Sequence, residues 1–340
     1  MRLASLASAV PPARFTQHDV WEILRKCKSV RALRTSSRGL LEKILCGPSG
    51  IDTRHFATAD PEALFAMDAG SLSRHYEKEA PRLAVQALAA ALQRAGLRAA
   101  DLDALFLCSC TGYLCPGPSS HVAEQLGMRA DAVLHDVVGL GCGAAIPTLR
   151  AAAAHIAANP SHVVATVAVE ICSAAFFVAD DPGVLISLCL FGDAASAAVW
   201  SADARGPRIG NFVSVHRPEH REAIRFVNDG GYLRNRLDRS VPAIAAAAVG
   251  KLVGDHPGHD GPPKLITHPG GRDVLDAIAA TLPDHCMQSS REAMRRFGNC
   301  SSPSVLLALE IDMEHETPHR GPRSLTAFGA GFSCHAAVLG

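Results

Sequence analysis

The chain has 340 residues, with 33 basic and 33 acidic side chains, 48% apolar residues and only 5% aromatic ones. Zero formal net charge argues against a general nucleic-acid binder or a polybasic membrane patch and favours a small-molecule site. The 11 cysteines are odd in number and include no Cys-x-x-Cys, which excludes a zinc ribbon or a secreted disulfide framework and indicates the reducing cytoplasm.

In chain order, Met1–Val10 reads as a first strand rather than a signal peptide, because its apolar region is weak and no cleavage site follows. The spacing predicts an amphipathic helix from about Gln17 to Leu45 and a loop over Ser49–Phe56. A buried helix over Leu83–Ala95 precedes a short buried strand, Ala104–Ser109. Thr111–Gly117 reads as a turn, with Ser119 or Ser120 capping a helix that runs to Leu126. Ala132–Val138 is a strand, Ala144–Ala158 an alanine-rich helix and Val163–Ile171 a fully apolar strand. Ala194–Trp200, Ile209–Val215, Lys264–Thr267, Val305–Leu309 and Ser324–Ala327 read as further strands. Arg217–Asp238 and Gly250–Pro263 read as surface excursions. Apolar strands alternating with helices predict an α/β fold whose mostly parallel sheet is covered on both faces. No apolar run reaches the length of a membrane span. Two halves of similar texture, 1–205 and 206–340, are compatible with an internal duplication.

The most informative stretch is His135–Pro147, which sets Cys142 between glycines where a strand gives way to a helix. A helix N-terminus favours negative charge. Such a setting brings a thiol from about 8.5 to roughly 3.5–7.5, so Cys142 is the candidate nucleophile. His268 ends a strand in Thr267-His-Pro-Gly-Gly271, and Asn299 precedes a strand in Phe297-Gly-Asn-Cys-Ser-Ser302. Ligands bind at strand ends in α/β folds. Histidine accepts the thiol proton, and histidine and asparagine donate to a developing oxyanion. A rival reading treats Gly139–Ala144 as a dinucleotide fingerprint. Against it, Glu170 lies 31 residues after Gly139, where about 20 is usual. That rival also leaves Cys142, His268 and Asn299 unexplained. The pairs His216/His220, His256/His259 and His315/His319 have metal-like spacing. They fall in polar Pro/Gly-rich segments without a ligand framework, and no metal is expected.

With these residues in place, the chain resembles the type III polyketide synthases, the chalcone/stilbene synthase-like branch of the thiolase-fold condensing enzymes. The resemblance runs through Ser49–Arg54, Pro116-Gly117, Gly141-Cys142, Glu170-Ile171, Leu190–Asp193, His268–Gly271, Gly298–Ser302 and Phe328–Gly331. It implies a duplicated, five-layered αβαβα core. The N-terminal half, 1–205, carries the nucleophilic cysteine, and the C-terminal half, 206–340, carries the histidine and asparagine. It implies a cytoplasmic homodimer that condenses an acyl-CoA starter with malonyl-CoA, with no cofactor beyond its CoA thioester substrates. Cys142 matches the acyl-carrying nucleophile, His268 the base and oxyanion donor, and Asn299 its partner in decarboxylation. Phe191 matches a gate phenylalanine and Arg54 a basic position near the CoA phosphates. Cys110, Ser301 and Ala175 match cavity positions, and Gly270 and Gly271 the loop beside the substrate. Glu170 reads as structural rather than catalytic.

The chain departs from the family pattern in places. Asn235 stands where a second gate phenylalanine is usual, Ala175 is smaller than common, and the C-terminal loop reads Phe-Gly-Ala-Gly. These changes bear on starter, chain length and cyclisation. Two alternatives share the fold: a single-round condensing enzyme or acyltransferase, and a catalytically silent partner subunit.

Overall fold

The computed structural model describes residues 1–58, 60–254, 264–314 and 321–340. One sheet orders its strands as Arg2–Ala9, Ala194–Ser201, Val164–Glu170, Ala104–Cys108 and Val133–Val137. The first two junctions are antiparallel and the last two parallel. The second sheet runs Ile209–His216, Ser333–Leu339, Arg323–Gly329 and Lys264–Thr267, again antiparallel twice and then parallel. The two sheets therefore share one strand order, the second, among the described residues, having no counterpart of the outermost strand.

Two helices lie between the sheets. Ala145–Ala158 packs on strands of both sheets, and so does Ser304–Glu314. The apolar cluster between the sheets draws on both helices and both sheet faces. Alanine on the first helix lets it sit close to the backbone on either side. The second is buried nearly all round from Ser304 to Asp312. The 27-residue helix Ala69–Ala95 covers the outer face of the first sheet. It is capped by the Asp68 carboxylate at one end and by left-handed Gly96 at the other. Val241–Gly254 and Arg272–Thr281 cover the outer face of the second sheet. The result is five layers, αβαβα, around a central helical layer.

Several local expectations need correction. The stretch from Gln17 to Leu45 is three helices, Gln17–Leu24, Lys28–Arg31 and Thr35–Leu45, the first closed by a Thr16/Asp19 capping box. Gly117, not Ser119 or Ser120, caps the helix Pro118–Leu126, with Pro118 at its first position. Val305–Leu309 is helix, because a short apolar run buried on every side has no periodicity to separate helix from strand. Asn299 accordingly precedes a helix. Within Arg217–Asp238 the chain forms a hairpin, Ile224–Asp229 with Tyr232–Leu237. The closing strand Ser333–Leu339 was not anticipated. His216 ends a strand and His220 lies in a short 3-10 turn. Among the described residues no three metal-binding side chains cluster. His256, His259, His315 and His319 lie outside the described residues, as does most of the Gly250–Pro263 stretch. Among the described residues no helix is long and apolar enough to cross a membrane.

Candidate active site

Cys142 sits in the 3-10 turn Gly141–Gly143 that leads into the central helix Ala145–Ala158. The glycines of this turn answer to close packing. A Cβ on Gly143 would lie 3.1 Å from the His335 ring and 3.2 Å from the Gly329 nitrogen. One on Gly329 would lie 2.4 Å from the Leu140 oxygen and 2.6 Å from the Gly143 nitrogen. The Phe328–Gly329 segment thus seats the turn from below. Close packing accounts for Gly141 and Gly143, and a left-handed backbone for Gly139, without a bound pyrophosphate, which removes the reason for the dinucleotide reading.

Hydrogen bonds tie the three catalytic candidates into one site across both sheets. Asn299 Nδ2 donates to the Gly270 oxygen at 3.1 Å, in the loop that carries His268. The Ser301 N–H donates to Asn299 Oδ1 at 2.8 Å, and the Ser301 hydroxyl donates to Cys142 Sγ at 3.3 Å. Ser301 holds this position on a left-handed backbone, φ 57°, uncommon for a residue with a side chain. His268 is anchored by its N–H to the Thr326 oxygen, and its ring packs edge-on against Phe328 at 5.1 Å. Gly270 is required here, since a Cβ would meet the Phe328 ring at 3.1 Å. Gly271 starts the following helix.

The electrostatics of the site differ from the sequence expectation. Burial pushes the Cys142 thiol up to about 12, and the nearby Glu170 carboxylate adds to the rise. The Ser301 hydrogen bond opposes it. Desolvation therefore works against the helix N-terminus, which by itself favours the thiolate. Burial also lowers the His268 pKa to about 3, favouring the neutral ring, and among the described residues its Nδ1 has no hydrogen-bond partner.

Glu170, read as structural from sequence, is the hub that sequence reasoning undervalued. Fully buried, it accepts from the Ser302 hydroxyl at 2.5 Å, the Cys110 N–H at 2.9 Å, and the Thr111 N–H and hydroxyl at 3.1 and 2.8 Å. The Ser301 hydroxyl lies 3.5 Å from it. Its position at the end of an all-apolar strand and its place in the Glu170-Ile171 motif of the resemblance were the signals in the sequence. The Cys110 thiol donates to Glu170 at 3.3 Å and stands 3.3 Å from Ser301 Oγ. Burial and the Glu170 charge push it well above the usual thiol range, so it is a packed neighbour rather than a second thiolate.

Beside this centre lies a cavity of about 380 Å³, its open mouth included. Ser301, Phe191, Ala175 and Asn235 all line it, joined by Phe226 and Leu233 from the hairpin that sequence placed on the surface. Asn235, read from sequence as replacing a second gate phenylalanine, donates to the Ser187 hydroxyl at 2.9 Å. Arg54 needs correction. It is fully buried, and its guanidinium donates to Gln17 Oε1 and to the Leu188 and Phe191 oxygens at 2.7–2.9 Å. In that position it braces the Phe191 segment and presents nothing to a solvated phosphate.

Comparison with known proteins agrees with this geometry. The family model described as FAE1/type III polyketide synthase-like protein matches residues 10–217. The 1,3,6,8-tetrahydroxynaphthalene synthase of Streptomyces peucetius subsp. caesius is 30% identical, over 99% of this chain and 92% of that protein. The phloroglucinol synthase of Pseudomonas fluorescens is 26% identical over 97% of each. The crystal structure of the tetrahydroxynaphthalene synthase from Streptomyces coelicolor A3(2) superposes with a TM-score of 0.89 at 26% identity, covering 100% of this chain and 99% of that one. With its thiolase-like layers and this match over nearly its whole length, the chain belongs to the type III polyketide synthase family.

Proposed function

We propose that this member loads an acyl group from a CoA thioester onto Cys142 and extends it by decarboxylative condensation with malonyl-CoA. Release would give a pyrone or cyclised phenolic product. The observation that carries the reading is the hydrogen-bonded chain from the His268 loop through Asn299 and Ser301 to Cys142. In the loading step the neutral His268 imidazole takes the thiol proton as sulfur attacks the thioester, then returns it to the departing CoA thiolate. Cys142 is thereby a thiol at rest and nucleophilic only with substrate in place. In extension, loss of CO2 from malonyl-CoA leaves an enolate. In this proposal the His268 ring and the second N–H of Asn299 Nδ2 donate to its oxygen. The enolate then attacks the acyl group held on Cys142. This chemistry uses CoA thioesters as substrates and calls on no metal or redox group.

Arg54 drops out of the substrate contacts, while Phe191, Ala175, Ser301, Gly270 and Gly271 keep their proposed places along the cavity and its loop. Two further readings belong to this proposal. The boundary between two duplicated halves falls near residue 205, supported by the shared strand order. A homodimer forms through the edge strand Val133–Val137. That strand leaves its own hydrogen-bonding edge open and exposes Val133 and Leu134, with Val138 and Tyr113 exposed nearby.

The test is intact-protein mass spectrometry with acyl-CoAs and malonyl-CoA. Adducts growing by ketide units on the wild type, and absent from Cys142→Ala, are expected. A single unit would favour a one-round condensing enzyme, and no adduct a silent subunit.

A further inference from the structure

The reaction cavity shares a wall with a second hollow. Phe177 lines both, and its ring stands 4.8 Å from the ring of Tyr232, which lines the second. The second hollow has about 1,110 Å³ of free space, its open mouth included. Its floor is Phe65, Met67 and Val178, and Phe65 stacks at 5.9 Å on Phe176 of the first cavity. Two pairs of packed aromatic rings, Phe177 with Tyr232 and Phe65 with Phe176, therefore lie between the spaces.

One edge of this hollow is cationic. Lys26 and Lys28 line it, and Glu62 is the single acidic lining residue. The surrounding run is unusual for a chain of zero net charge: residues 25–43 contain seven Lys or Arg and one Glu. Arg25 pairs with Glu22 and Arg34 with Asp180, whereas Lys26 and Lys28 have no carboxylate partner among the described residues. The local potential is positive, and its focus is the mouth of an aromatic-walled space.

We propose that this hollow receives the far end of the acyl chain carried on Cys142, and that it selects an acyl group ending in a carboxylate, the half-thioester of a dicarboxylic acid. The inference rests on the condensing function proposed above. The chain's methylenes pass the Phe177–Tyr232 partition, each burial adding about fourfold in affinity. The terminal carboxylate then meets the two ammonium groups. A methyl-ended chain of the same length gains the first contribution but not the second.

The experiment compares acetyl-CoA, octanoyl-CoA and the mono-CoA thioester of octanedioic acid as starters, by kcat/KM, in the wild type, Phe177→Trp and the double variant Lys26→Ser/Lys28→Ser. The wild type should prefer the octanedioyl thioester to octanoyl-CoA by about tenfold. Phe177→Trp, which alters the wall of the reaction cavity as well, should reduce both eight-carbon starters by tenfold or more relative to acetyl-CoA. The surface lysine pair, whose loss does not endanger folding, should reduce the octanedioyl thioester alone. Equal use of the two eight-carbon starters would overturn the proposal. So would an equal rise in KM for all three in the lysine variant, which would assign the lysines to the CoA phosphates. Calorimetric titration of the two eight-carbon thioesters into Cys142→Ala reads the same preference without chemistry. A binding preference without condensation would refute the catalytic reading alone, and its absence would refute this one.

Discussion

Replacing His268 by glutamine should change how stability depends on pH, and the size of the change follows from the burial of the imidazole. In the folded protein burial lowers its pKa from the ordinary 6.5 to about 3. The unfolded chain therefore takes up a proton below pH 6.5 that the folded chain refuses. His268 thus contributes no penalty above pH 7, and it lowers stability progressively as pH falls from 6.5 toward 3. The loss is about 1.4 kcal/mol per pH unit, or about 1.4 kcal/mol between pH 7.5 and 5.5 and about 5 kcal/mol in full. His335, also held low at about 4 by burial, adds a slope of the same sign that the variant keeps. Denaturant melts of wild type and His268→Gln at pH 7.5 and 5.5 isolate the term. The wild type should lose about 1.4 kcal/mol more than the variant over that interval. Equal losses would mean that His268 titrates normally in the fold, with water or a counter-charge beside it. A smaller loss in the wild type than in the variant would mean a raised folded pKa, and the neutral-base mechanism would then have to give way to a standing imidazolium–thiolate pair.

Three other outcomes follow from the same site. Glu170→Ala leaves the Cys110 and Thr111 N–H groups buried without an acceptor and should cost about 3–6 kcal/mol in chemical denaturation. Glu170→Gln, which retains one acceptor oxygen, should cost less than half of that. Gly329→Ala should abolish acylation of Cys142, because its Cβ would fall 2.4 Å from the Leu140 oxygen. Gly210→Ala, with nothing within 4 Å, should acylate as the wild type does. Arg54→Met strips donors from the Leu188 and Phe191 carbonyls and should lower stability by about 3 kcal/mol or more. Its KM should rise no more for a CoA thioester than for the matching N-acetylcysteamine thioester, which lacks the nucleotide. A rise confined to the CoA ester would return Arg54 to the phosphate contacts.

The catalytic candidates were legible because each interrupts a local pattern. Cys142 breaks a glycine run, and His268 and Asn299 sit where apolar segments end. What failed to read depended on environment. Nothing in Thr53-Arg-His55 distinguishes a solvated arginine from one enclosed by Gln17, Leu188 and Phe191, which lie far away in sequence. The thiol's acidity was misjudged for a related reason. A helix N-terminus is visible in sequence, whereas the desolvation that works against it is a property of the packed site. Val305–Leu309 passed for a strand because complete burial erased its periodicity. The hairpin from Ile224 to Leu237 looked like surface because its three arginines and Asp229 are polar in sequence, although Arg234 pairs with Asp229, and Arg225 and Arg236 with Glu222. Its inward residues Phe226, Leu233 and Asn235 shape the cavity.

The left-handed backbone at Ser301 limits how this enzyme can be remodelled. A side chain branched at Cβ is strongly disfavoured on such a backbone, so valine, isoleucine and threonine are poor choices at the point of the cavity nearest the reacting sulfur. Glycine, alanine and asparagine remain open there. Ala175, in a 3-10 turn, and Asn235, on a strand, carry no such restriction. A mutant library seeking new products should therefore vary those two walls freely and hold Ser301 to a short list. Divergence of product within this scaffold is channelled away from the sulfur and toward the far side of the chamber.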